Sequence, residues 1–324
     1  MFAALALIAV ATEAAVGYPD GLYRRIGHPV SWIGALIAWC DKAWNSEALS
    51  YDERRWRGIY VLVLLLAAAL LSGLAITALF DELLPDLVAL LLCGVVGSSM
   101  LAQRSLYTHV AAVASALETD GIEAGRRAVS MIVGRDTRAL DEAAVSRAAI
   151  ESLAENFSDG VVAPLFWMVV AGLPGAIAYK AVNTADSMIG HKSPRHLAFG
   201  WASARFDDLV NLPASRLSAF WMVLAAALSP GLSPRRAIEV LSRDAGHHRS
   251  PNAGWPEAAM AGALGIQLSG PRIYDGVEVA ERWVGEGRND LTACDIRAAL
   301  DLYRAACGLQ IAALVSIVVI SLMV

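Results

Sequence analysis

The chain has 324 residues, of which 56% are hydrophobic and only 18% are charged, whereas a soluble domain carries about a quarter charged residues. This composition indicates contact with lipid, and an apolar content of mainly Ala, Leu, Val and Ile favours membrane helices over a β-barrel. The formal net charge of −5 argues against nucleic acid as a partner, because a phosphate-binding surface is basic. The four scattered cysteines indicate neither a disulfide framework nor a zinc site.

Four stretches of the chain are candidate membrane segments. Residues 1–16 are apolar but lack the basic start of a signal peptide, and Glu13 interrupts their end, so we expect a retained first segment. The clearest span is 58–80, which has no charged residue and can cross a hydrocarbon core of about 30 Å. The run 307–324 is a further candidate, and 87–102 is a shorter one.

Two other apolar stretches are interrupted or short. Residues 160–179 contain Pro164 and Pro174, and 217–228 makes only about three helical turns. Such lengths are typical of re-entrant or buried helices as well as of crossings. The alternatives are that both stretches enter the membrane without crossing it, or that both cross it. Prolines that break the first stretch favour the re-entrant interpretation.

The basic residues indicate which regions face the cytoplasm. All 26 Lys and Arg fall in four polar regions, which are 17–57, 103–159, 180–216 and 233–304. Because basic loops stay on the cytoplasmic side, we expect all four there if the interrupted stretches are re-entrant. The sequence therefore predicts an all-α, polytopic integral membrane protein with about 4–6 membrane-embedded helices and cytoplasmic helical regions, forming a single domain over 1–324.

Three carboxylates recur every four residues at the edge of an apolar run. Glu151, Glu155 and Asp159 are therefore predicted to share one helical face. Like charges at this spacing repel one another, and Mg²⁺ is a natural counter-ion because it prefers oxygen ligands and bridges to phosphates. An ordinary solvated helix face is the alternative.

A second polar group follows the interrupted apolar stretch. Lys180, Asn183 and Asp186 recur every three residues, and Lys180 and Lys192 are two of only three lysines in the chain. Ammonium groups bind phosphates as point charges, although lysines also extend from a membrane boundary to water. His191 is a candidate ligand or general base, but a lone His is more often structural.

Further polar residues lie near these two groups. Arg205, Asp208 and Asn211 repeat the three-residue spacing, and Asp207 adds an adjacent carboxylate of the kind that binds a metal. A plain Arg205–Asp208 ion pair is the alternative.

Two further stretches contain polar candidates, and several well-known nucleotide-binding and catalytic motifs are absent from the sequence. His28 lies in GHPVSWIG, and Asn252 and Glu257 lie in SPNAGWPEAAMAGALG. Glu257 is also suited to a plain helix start. The chain has no GxxxxGK[ST], GxGxxG, HExxH or GxSxG motif, so a nucleotide would have to be bound in a non-standard way.

Six stretches, in this order, resemble the adenosylcobinamide-phosphate synthase family of cobalamin biosynthesis, called CobD or CbiB. They are GHPVSWIG at 27–34, RRAVSMIVGRDT at 126–137, AAIESLAENFSDGVVAPLFW at 148–167, AYKAVNTADSMIGHKSPR at 178–195, FGWASARFDDLVNLPASR at 199–216 and SPNAGWPEAAMAGALG at 250–265. The resemblance covers nearly the whole chain. One departure is EAAVGYPD at 13–20, where the family usually has a DLLLGDP-like start, so Glu13 or Asp20 must replace the aspartate of that motif.

The resemblance implies an ATP-dependent ligase in the cytoplasmic membrane that joins adenosylcobyric acid to (R)-1-aminopropan-2-ol or its O-phosphate. It implies ATP and Mg²⁺ as cofactors, a corrinoid substrate, the bilayer as surroundings, and a second copy or other pathway enzymes as partners. Catalytic candidates are Lys180, Asp186, His191 and His28. Candidate metal ligands are Glu151, Glu155, Asp159, Asp207 and Asp208. Candidate substrate or nucleotide contacts are Arg135, Asn183, Lys192, Arg205, Asn211, Asn252 and Glu257.

Three other classes of protein are alternatives to this ligase. A transporter predicts ionisable residues inside its spans, and 58–80, 87–102 and 307–324 contain none away from their ends. A non-catalytic corrinoid-binding scaffold or sensor would not need the concentration of polar residues between 135 and 211. A metal-dependent phosphotransferase acting on a lipid-linked diphosphate is the remaining alternative, and it would bind a lipid rather than a corrinoid.

Overall fold

The computed structural model describes residues 1–274, 277–279 and 281–323, and these residues are mostly helical. The α-helices are α1 Phe2–Val16, α2 Asp20–Ile26, α3 Pro29–Trp44, α4 Tyr51–Leu83, α5 Asp86–Ser98, α6 Gln103–Asp120, α7 Ile122–Val129, α8 Glu142–Phe157, α9 Ala163–Ile189, α10 Trp201–Val210, α11 Leu212–Leu228, α12 Pro234–Asp244, α13 Gly254–Leu264 and α14 Ala293–Met323. A π-helical turn, Ser158–Val162, lies between α8 and α9, and a 3₁₀ turn, Ala245–His247, follows α12. The predicted all-α class is confirmed.

Short strands occur in a segment for which no strand was predicted. They are β1 Leu268–Ser269, β2 Arg272–Tyr274, β3 Val277–Val279 and β4 Trp283–Val284. β1 pairs with β4 and β2 pairs with β3, both antiparallel. Strands of two or three residues are too short to produce a recognisable alternation of apolar and polar side chains.

The chain forms two compact units, and each is assembled from segments far apart in sequence. Unit 1 comprises Met1–Ala102, Ala163–Asn211 and Leu314–Val324, and unit 2 comprises Gln103–Val162 and Leu212–Ala313. No single cut in the sequence separates them. Each unit is described by itself below.

In unit 1, α4 packs against α9 at a point that requires a glycine. A Cβ atom at Gly73 would collide with the backbone of Pro174, so the absence of a side chain lets the helices approach closely. Nearby, α3, α4 and α9 contribute to one apolar cluster that includes Ile37, Val61 and Phe199. This packing fixes α9, which carries several of the polar candidates.

The helical path of α9 breaks where its second proline predicts a break. Ala171 and Gly172 have non-helical dihedral angles, and Gly172 has a φ of 65°, in the left-handed region. Pro174 follows within two residues and removes an internal hydrogen-bond donor. The predicted interruption of 160–179 is therefore confirmed, and the choice between re-entry and crossing stays a prediction.

Among the described residues, four helices are long and apolar enough to cross a membrane, and the number rises to six if each of two bent pairs is one span. The predicted span 58–80 lies in α4, and the predicted span 307–324 lies in α14 as far as Met323, its last position being outside the described residues. One bent pair consists of Phe2–Val16 and Asp20–Trp44, which meet at 105°. The predicted 4–6 membrane-embedded helices are confirmed.

In unit 2, side-chain caps mark the starts of α8 and α12. Asp141 accepts a hydrogen bond from the backbone N–H of Ala144 at 2.8 Å, and Ser233 accepts one from that of Arg236 at 3.2 Å. Such caps satisfy donors that the first turn leaves open. The core includes Phe157 packed edge-on against Tyr303, with ring centroids 5.4 Å apart.

Candidate functional site

In unit 1, the predicted polar face of α9 is present in its last three turns. The ammonium group of Lys180 donates to Oδ1 of Asn183 at 3.4 Å. Asp186 lies half-buried one turn further on. Residues three apart are neighbours on a helix, and here they place a cation, an amide and a carboxylate on one side of α9.

Asp207 and Asn211 form the buried end of this group. Asn211 Nδ2 donates to Oδ2 of Asp207 at 2.9 Å, and the hydroxyl of Tyr179 donates to Oδ1 of Asn211 at 2.9 Å. Asp207 is 8% exposed and Asn211 is 1% exposed. The hydrogen bonds from Tyr179 to Asn211 and from Asn211 to Asp207 therefore hold one oxygen of the buried Asp207 carboxylate in place.

The other oxygen of Asp207 is unsatisfied. Oδ1 is buried and accepts no hydrogen bond from the described residues. Asp186 and Asp208 lie close enough for their charges to act on Asp207. An unsatisfied buried acceptor costs free energy, and a cation or a donor from a substrate would remove this cost.

The carboxylates of Asp207, Asp186 and Asp208 are candidate ligands for Mg²⁺. Within the described part of the chain, no three His, Cys, Asp or Glu residues are grouped so as to hold a metal ion. Mg²⁺ in phosphate-binding sites, however, is bound through one or two carboxylates together with substrate phosphates and water. Asp207, with Asp186 and Asp208 near it, fits this requirement.

The remaining unit 1 candidates lie at the exposed side of the group. Arg205 pairs with Asp208 at 3.6 Å, so the ion pair weighed as an alternative is present. His191 and Lys192 are exposed in the segment after α9. That segment is anchored by Arg195, which donates to Oδ2 of Asp41 at 2.8 Å.

His28 has a structural task at the start of α3. Its Nδ1 accepts a hydrogen bond from the backbone N–H of Val30 at 3.2 Å, and its ring lies 4.3 Å from that of Tyr18. Because Nδ1 is the acceptor, a neutral ring carries its proton on Nε2. Nε2 of His28 is then a hydrogen-bond donor. Of the two candidate histidines, His191 is therefore favoured as the proton acceptor.

In unit 2, Glu151 is buried and held from two sides. Its Oε2 lies 3.3 Å from Nη2 of Arg135, and its Oε1 accepts the backbone N–H of Ser269 at 2.7 Å. Ser269 has a φ of 58°, which is uncommon for a residue with a side chain. Its hydroxyl donates to Oε2 of Glu257 at 3.3 Å, so one serine contacts both carboxylates.

The three predicted carboxylates Glu151, Glu155 and Asp159 lie in different environments. Glu151 is buried whereas Glu155 is exposed. Asp159 lies in the π-helical turn Ser158–Val162, where a wider turn alters the four-residue repeat. Glu151 is thus a buried ion-pair partner of Arg135, and a metal site on these three carboxylates stays a prediction.

Asn252 and Glu257 lie at the start of α13, both buried. Oδ1 of Asn252 accepts hydrogen bonds from Ser215 at 3.0 Å and from Arg216 at 2.9 Å. The Arg216 guanidinium also stacks 4.5 Å above the ring of Trp255, a cation–π contact. Asn252 is therefore fixed by α11 and held in one orientation.

The two replacements considered for the family aspartate differ in environment. Glu13 is 4% exposed within α1, whereas Asp20 is exposed in the first turn of α2. A buried carboxylate has a structural or functional partner more often than an exposed one does. This contrast favours Glu13 as the counterpart.

Three contacts of these groups were missed in the sequence. Tyr179 precedes Lys180 and looked like part of the apolar run, although a buried hydroxyl needs a hydrogen-bond partner. Arg216 ends one of the quoted stretches, where its cationic group was a usable signal. Ser269 lies in no motif, and nothing local indicated its contacts.

Long apolar helices combined with buried polar groups define the class: a multi-pass helical membrane protein with preformed polar sites. The model of the family described as CobD/Cbib protein matches residues 6–303. The chain therefore belongs to the CobD/CbiB family.

Relatives named "Cobalamin biosynthesis protein CobD" are similar over almost their full length. The protein from Sinorhizobium fredii is 54% identical over 93% of this chain and 92% of its own. Those from Rhizobium meliloti and Rhodobacter capsulatus are 52% and 50% identical, over 94% of this chain and 93% and 94% of theirs. No solved structure matches the chain. The family and its named members support a biosynthetic role in the cobalamin pathway.

Proposed function

We propose that the chain is an ATP-dependent ligase. It joins the free propionate of adenosylcobyric acid to the amine of (R)-1-aminopropan-2-ol or its O-phosphate, giving adenosylcobinamide or its phosphate. The observation that carries the proposal is the buried Asp207, whose Oδ1 accepts no hydrogen bond from the described residues. It lies near Asp186 and Asp208, where a divalent cation bound to the phosphates of ATP would satisfy it.

The reaction requires activation because a carboxylate does not condense with an amine in water. A carboxylate oxygen attacks the γ-phosphorus of ATP, the bond to the β-phosphate oxygen breaks, and ADP leaves. The amine nitrogen then attacks the acyl carbon, inorganic phosphate leaves with its oxygen, and the amine proton passes to a base. Positioning and charge neutralisation supply most of the catalysis in phosphoryl transfer.

The polar face of unit 1 supplies groups for these steps. We assign Lys180, Lys192 and Arg205 to the phosphates and Asn183 and Asn211 to orientation of the neighbouring side chains. Bound Mg²⁺, held through Asp207 and Asp208, would neutralise phosphate charge. Asp186, which lies near both Asp207 and Asp208, is assigned as a hydrogen-bond acceptor for the ammonium form of the amine.

His191 is assigned as the proton acceptor for the attacking amine. It is exposed beside Lys192, and imidazole is the side chain that most often acts as a general base. His28 is the less suited of the two, because its Nδ1 already accepts the Val30 N–H.

In unit 2 the buried residues are assigned to substrate binding. Arg135, Asn252 and Glu257 offer a guanidinium, an amide and a carboxylate, and the corrinoid carries amide side chains that match such groups. Glu151 holds Arg135, and the roles of Glu155 and Asp159 as metal ligands stay predictions.

The site is proposed to face the cytoplasm from the cytoplasmic membrane. Support comes from the clustering of all 26 basic residues in four polar regions, since cytoplasmic loops retain Lys and Arg. ATP is also a cytoplasmic substrate.

The test is amide formation by the purified protein in detergent. Adenosylcobyric acid, Mg-ATP and aminopropanol phosphate are supplied, and corrinoid mass and released phosphate are followed. We expect coupled product formation that falls at least a hundredfold in Lys180→Ala and Asp186→Asn, in the range found when a transition-state charge contact is removed. Lys42→Ala and Asp52→Asn, both at exposed positions, are the matched controls and should retain activity.

A folded protein that retains the corrinoid but forms no amide would contradict the ligase. The result would support a corrinoid-binding scaffold. Transfer of phosphate to or from a lipid-linked diphosphate would instead support the phosphotransferase, which the adjacent Asp207 and Asp208 also suit.

A further inference from the structure

Helices α4 and α9 of unit 1 run in opposite directions. Gly73 of α4 meets Pro174 of α9. Val61, nearer the start of α4, shares an apolar cluster with Ala185, nearer the end of α9. The start of α4 and the end of α9 are therefore neighbours. The uncharged stretch 58–80 begins at this point, so these two helix ends mark one boundary of the predicted membrane span.

Helix α3 lies crosswise at this boundary. Near its start, a Cβ atom at Gly34 would lie 3.4 Å from the sulfur of Met188, in the last turn of α9. At its end, the carbonyl oxygen of Trp44 accepts a hydrogen bond from Nη1 of Arg57, in the second turn of α4, at 3.3 Å. Gly34 and Trp44 are about 15 Å apart along the helix, yet both contact the same end of the α4–α9 pair. α3 therefore runs across these helix ends instead of along them, in keeping with the 105° between α1 and the α2–α3 segment.

The two sides of α3 differ in what covers them. Ile37 and Cys40 are fully buried in the apolar cluster shared with α4 and α9. Trp32 and Trp39, by contrast, are 53% and 56% exposed. They are seven residues apart, which is close to two helical turns, so they lie on one side of α3. Exposed apolar area that is grouped in this way marks a contact surface.

Helix α2 extends this surface. None of its seven residues is buried, and Leu22, Tyr23 and Ile26 are exposed. Trp32 Nε1 donates a hydrogen bond to the carbonyl oxygen of Ile26 at 2.8 Å, which ties α2 to the start of α3. Helices shorter than about 12–15 residues are marginal in water without packing. A surface outside the described chain is therefore needed to stabilise α2.

The exposed charges on α2 and α3 are mostly positive. Arg24, Arg25 and Lys42 are exposed, and none of them forms an ion pair with the described residues. Asp41 already has an arginine partner, which leaves Asp20 as the one exposed carboxylate among the described residues of these two helices. A surface with three cations and one carboxylate fits a negatively charged partner.

We propose that α2 and α3 lie in the plane of the membrane and bind anionic phospholipid headgroups. Tryptophan and tyrosine side chains favour the headgroup level of a bilayer, which would cover Trp32, Trp39 and Tyr23. Arg24 and Arg25 contact the lipid phosphates, since an anionic leaflet attracts cationic groups near its surface. Apolar and cationic side chains combined in this way are typical of helices that lie in a membrane interface. The bent pair of α1 with α2 and α3 is then a membrane segment followed by a surface arm and does not cross as one span.

Spin-label depth measurements test the placement of α3. Ala35→Cys places a thiol on the exposed side of the helix, and Cys294→Ser removes the exposed native thiol. The labelled full chain is placed in nanodiscs of phosphatidylcholine and phosphatidylglycerol, and the accessibility of the label to oxygen and to a water-soluble nickel chelate is measured. Ala48→Cys, exposed after α3, is the water reference, and Leu71→Cys, exposed in α4, is the lipid reference.

The ratio of oxygen to nickel accessibility at Ala35→Cys is expected to fall between the two references, as for a side chain at the headgroup level. A ratio equal to that of Ala48→Cys would place this side of α3 in water and overturn the proposal. A ratio equal to that of Leu71→Cys would place α3 inside the hydrocarbon core and overturn it as well. Protection of the label from both reagents would overturn it in favour of a protein partner, such as a second copy of the chain.

Binding of phosphatidylglycerol tests the charge preference. Its dissociation constant from the full chain in detergent is measured by native mass spectrometry, with phosphatidylcholine as the neutral lipid. We expect the double variant Arg24→Gln, Arg25→Gln to bind phosphatidylglycerol at least about fivefold more weakly, because each cation contributes to attraction by an anionic lipid, and to bind phosphatidylcholine unchanged.

The double variant Arg235→Gln, Arg236→Gln is the matched control, since these adjacent arginines are exposed in unit 2, and it should bind phosphatidylglycerol as wild type does. Equal affinity for phosphatidylglycerol in wild type and both double variants would overturn the proposal. Neither ATP nor a corrinoid is present, so the outcome is independent of the proposed ligase activity.

Discussion

The side-chain amide of Asn211 donates a hydrogen bond to Oδ2 of Asp207 over 2.9 Å. Both residues are buried, so the pair depends on an amide opposite a carboxylate. The side-chain oxygen of Asn211 accepts a hydrogen bond from the Tyr179 hydroxyl. A change that reverses the polarity of this contact therefore has a large expected effect.

Asn211→Asp is expected to destabilise the protein more than Asn211→Ala does. Alanine leaves Asp207 without one donor, at a cost of about 1–3 kcal/mol. Aspartate adds a second buried negative charge, and an unpaired buried charge costs about 3–5 kcal/mol. Thermal unfolding in detergent at pH 7 measures the order. Asn289→Asp, at an exposed position, is the control, and a variant Asn211→Asp as stable as wild type would refute the contact.

Glu151 and Glu155 are expected to respond very differently to the same substitution. Glu151→Gln removes the charge that pairs with the mostly buried Arg135, which should cost about 3–5 kcal/mol. Glu155→Gln changes an exposed side chain on the same helix, and the expected change is within about 0.5 kcal/mol. Unfolding midpoints of the two variants provide the comparison. Equal midpoints would show that Glu151 is not an interior partner of Arg135.

Asp244 makes unit 2 sensitive to acid. Arg243 donates to Asp244 at 2.7 Å and 2.6 Å, and the Gly285 N–H donates at 2.8 Å. The Arg243 hydrogen bonds in particular hold the pKa of the Asp244 carboxyl below its ordinary value. The lowered pKa stabilises the fold above the unfolded-state pKa of about 3.9, and this stabilisation is lost as pH falls through the folded-state pKa.

Asp244→Asn should therefore lower stability at pH 7 by about 1–3 kcal/mol, and the difference from wild type should shrink as pH falls below 4. Unfolding midpoints between pH 7 and pH 3 measure this convergence. Glu239→Gln changes an exposed carboxylate on the same helix and serves as control. A difference that stays constant down to pH 3 would mean that Asp244 does not carry the effect.

Gly73→Val should disrupt the packing of α4 against α9. A Cβ at this position collides with Pro174, and overpacking of this kind costs about 1–3 kcal/mol. Ala68→Val makes a similar enlargement on an exposed part of α4, where little change is expected. The yield of monodisperse protein in detergent and its unfolding midpoint measure both variants. Normal behaviour of Gly73→Val would contradict the close approach of the two helices.

Local sequence patterns were sufficient to predict much of the helical structure of unit 1. The uncharged stretch 58–80 became part of α4, and Pro174 marked the break in α9. The three-residue spacing of Lys180, Asn183 and Asp186 placed them on one face because helix geometry depends only on neighbouring positions.

Local patterns could not predict contacts between segments that are far apart in the sequence. Ser269 contacts Glu151 across 118 positions of the chain, and no local signal encodes that distance. The different burial of Glu151 and Glu155 likewise depends on what packs against α8, and the π-helical turn after it altered the repeat on which the expected carboxylate face relied. The Tyr179–Asn211 bond spans 32 positions and was hidden for the same reason.

The most direct test of the proposed ligase is the fate of oxygen in the activated carboxylate. Adenosylcobyric acid labelled with ¹⁸O in its free carboxylate is incubated with Mg-ATP, aminopropanol phosphate and the purified protein, and released phosphate is examined by mass spectrometry. We expect one ¹⁸O atom to appear in inorganic phosphate for each amide formed, because that oxygen leaves with the phosphoryl group. Amide formation with unlabelled phosphate and unlabelled AMP would contradict activation of the carboxylate by ATP.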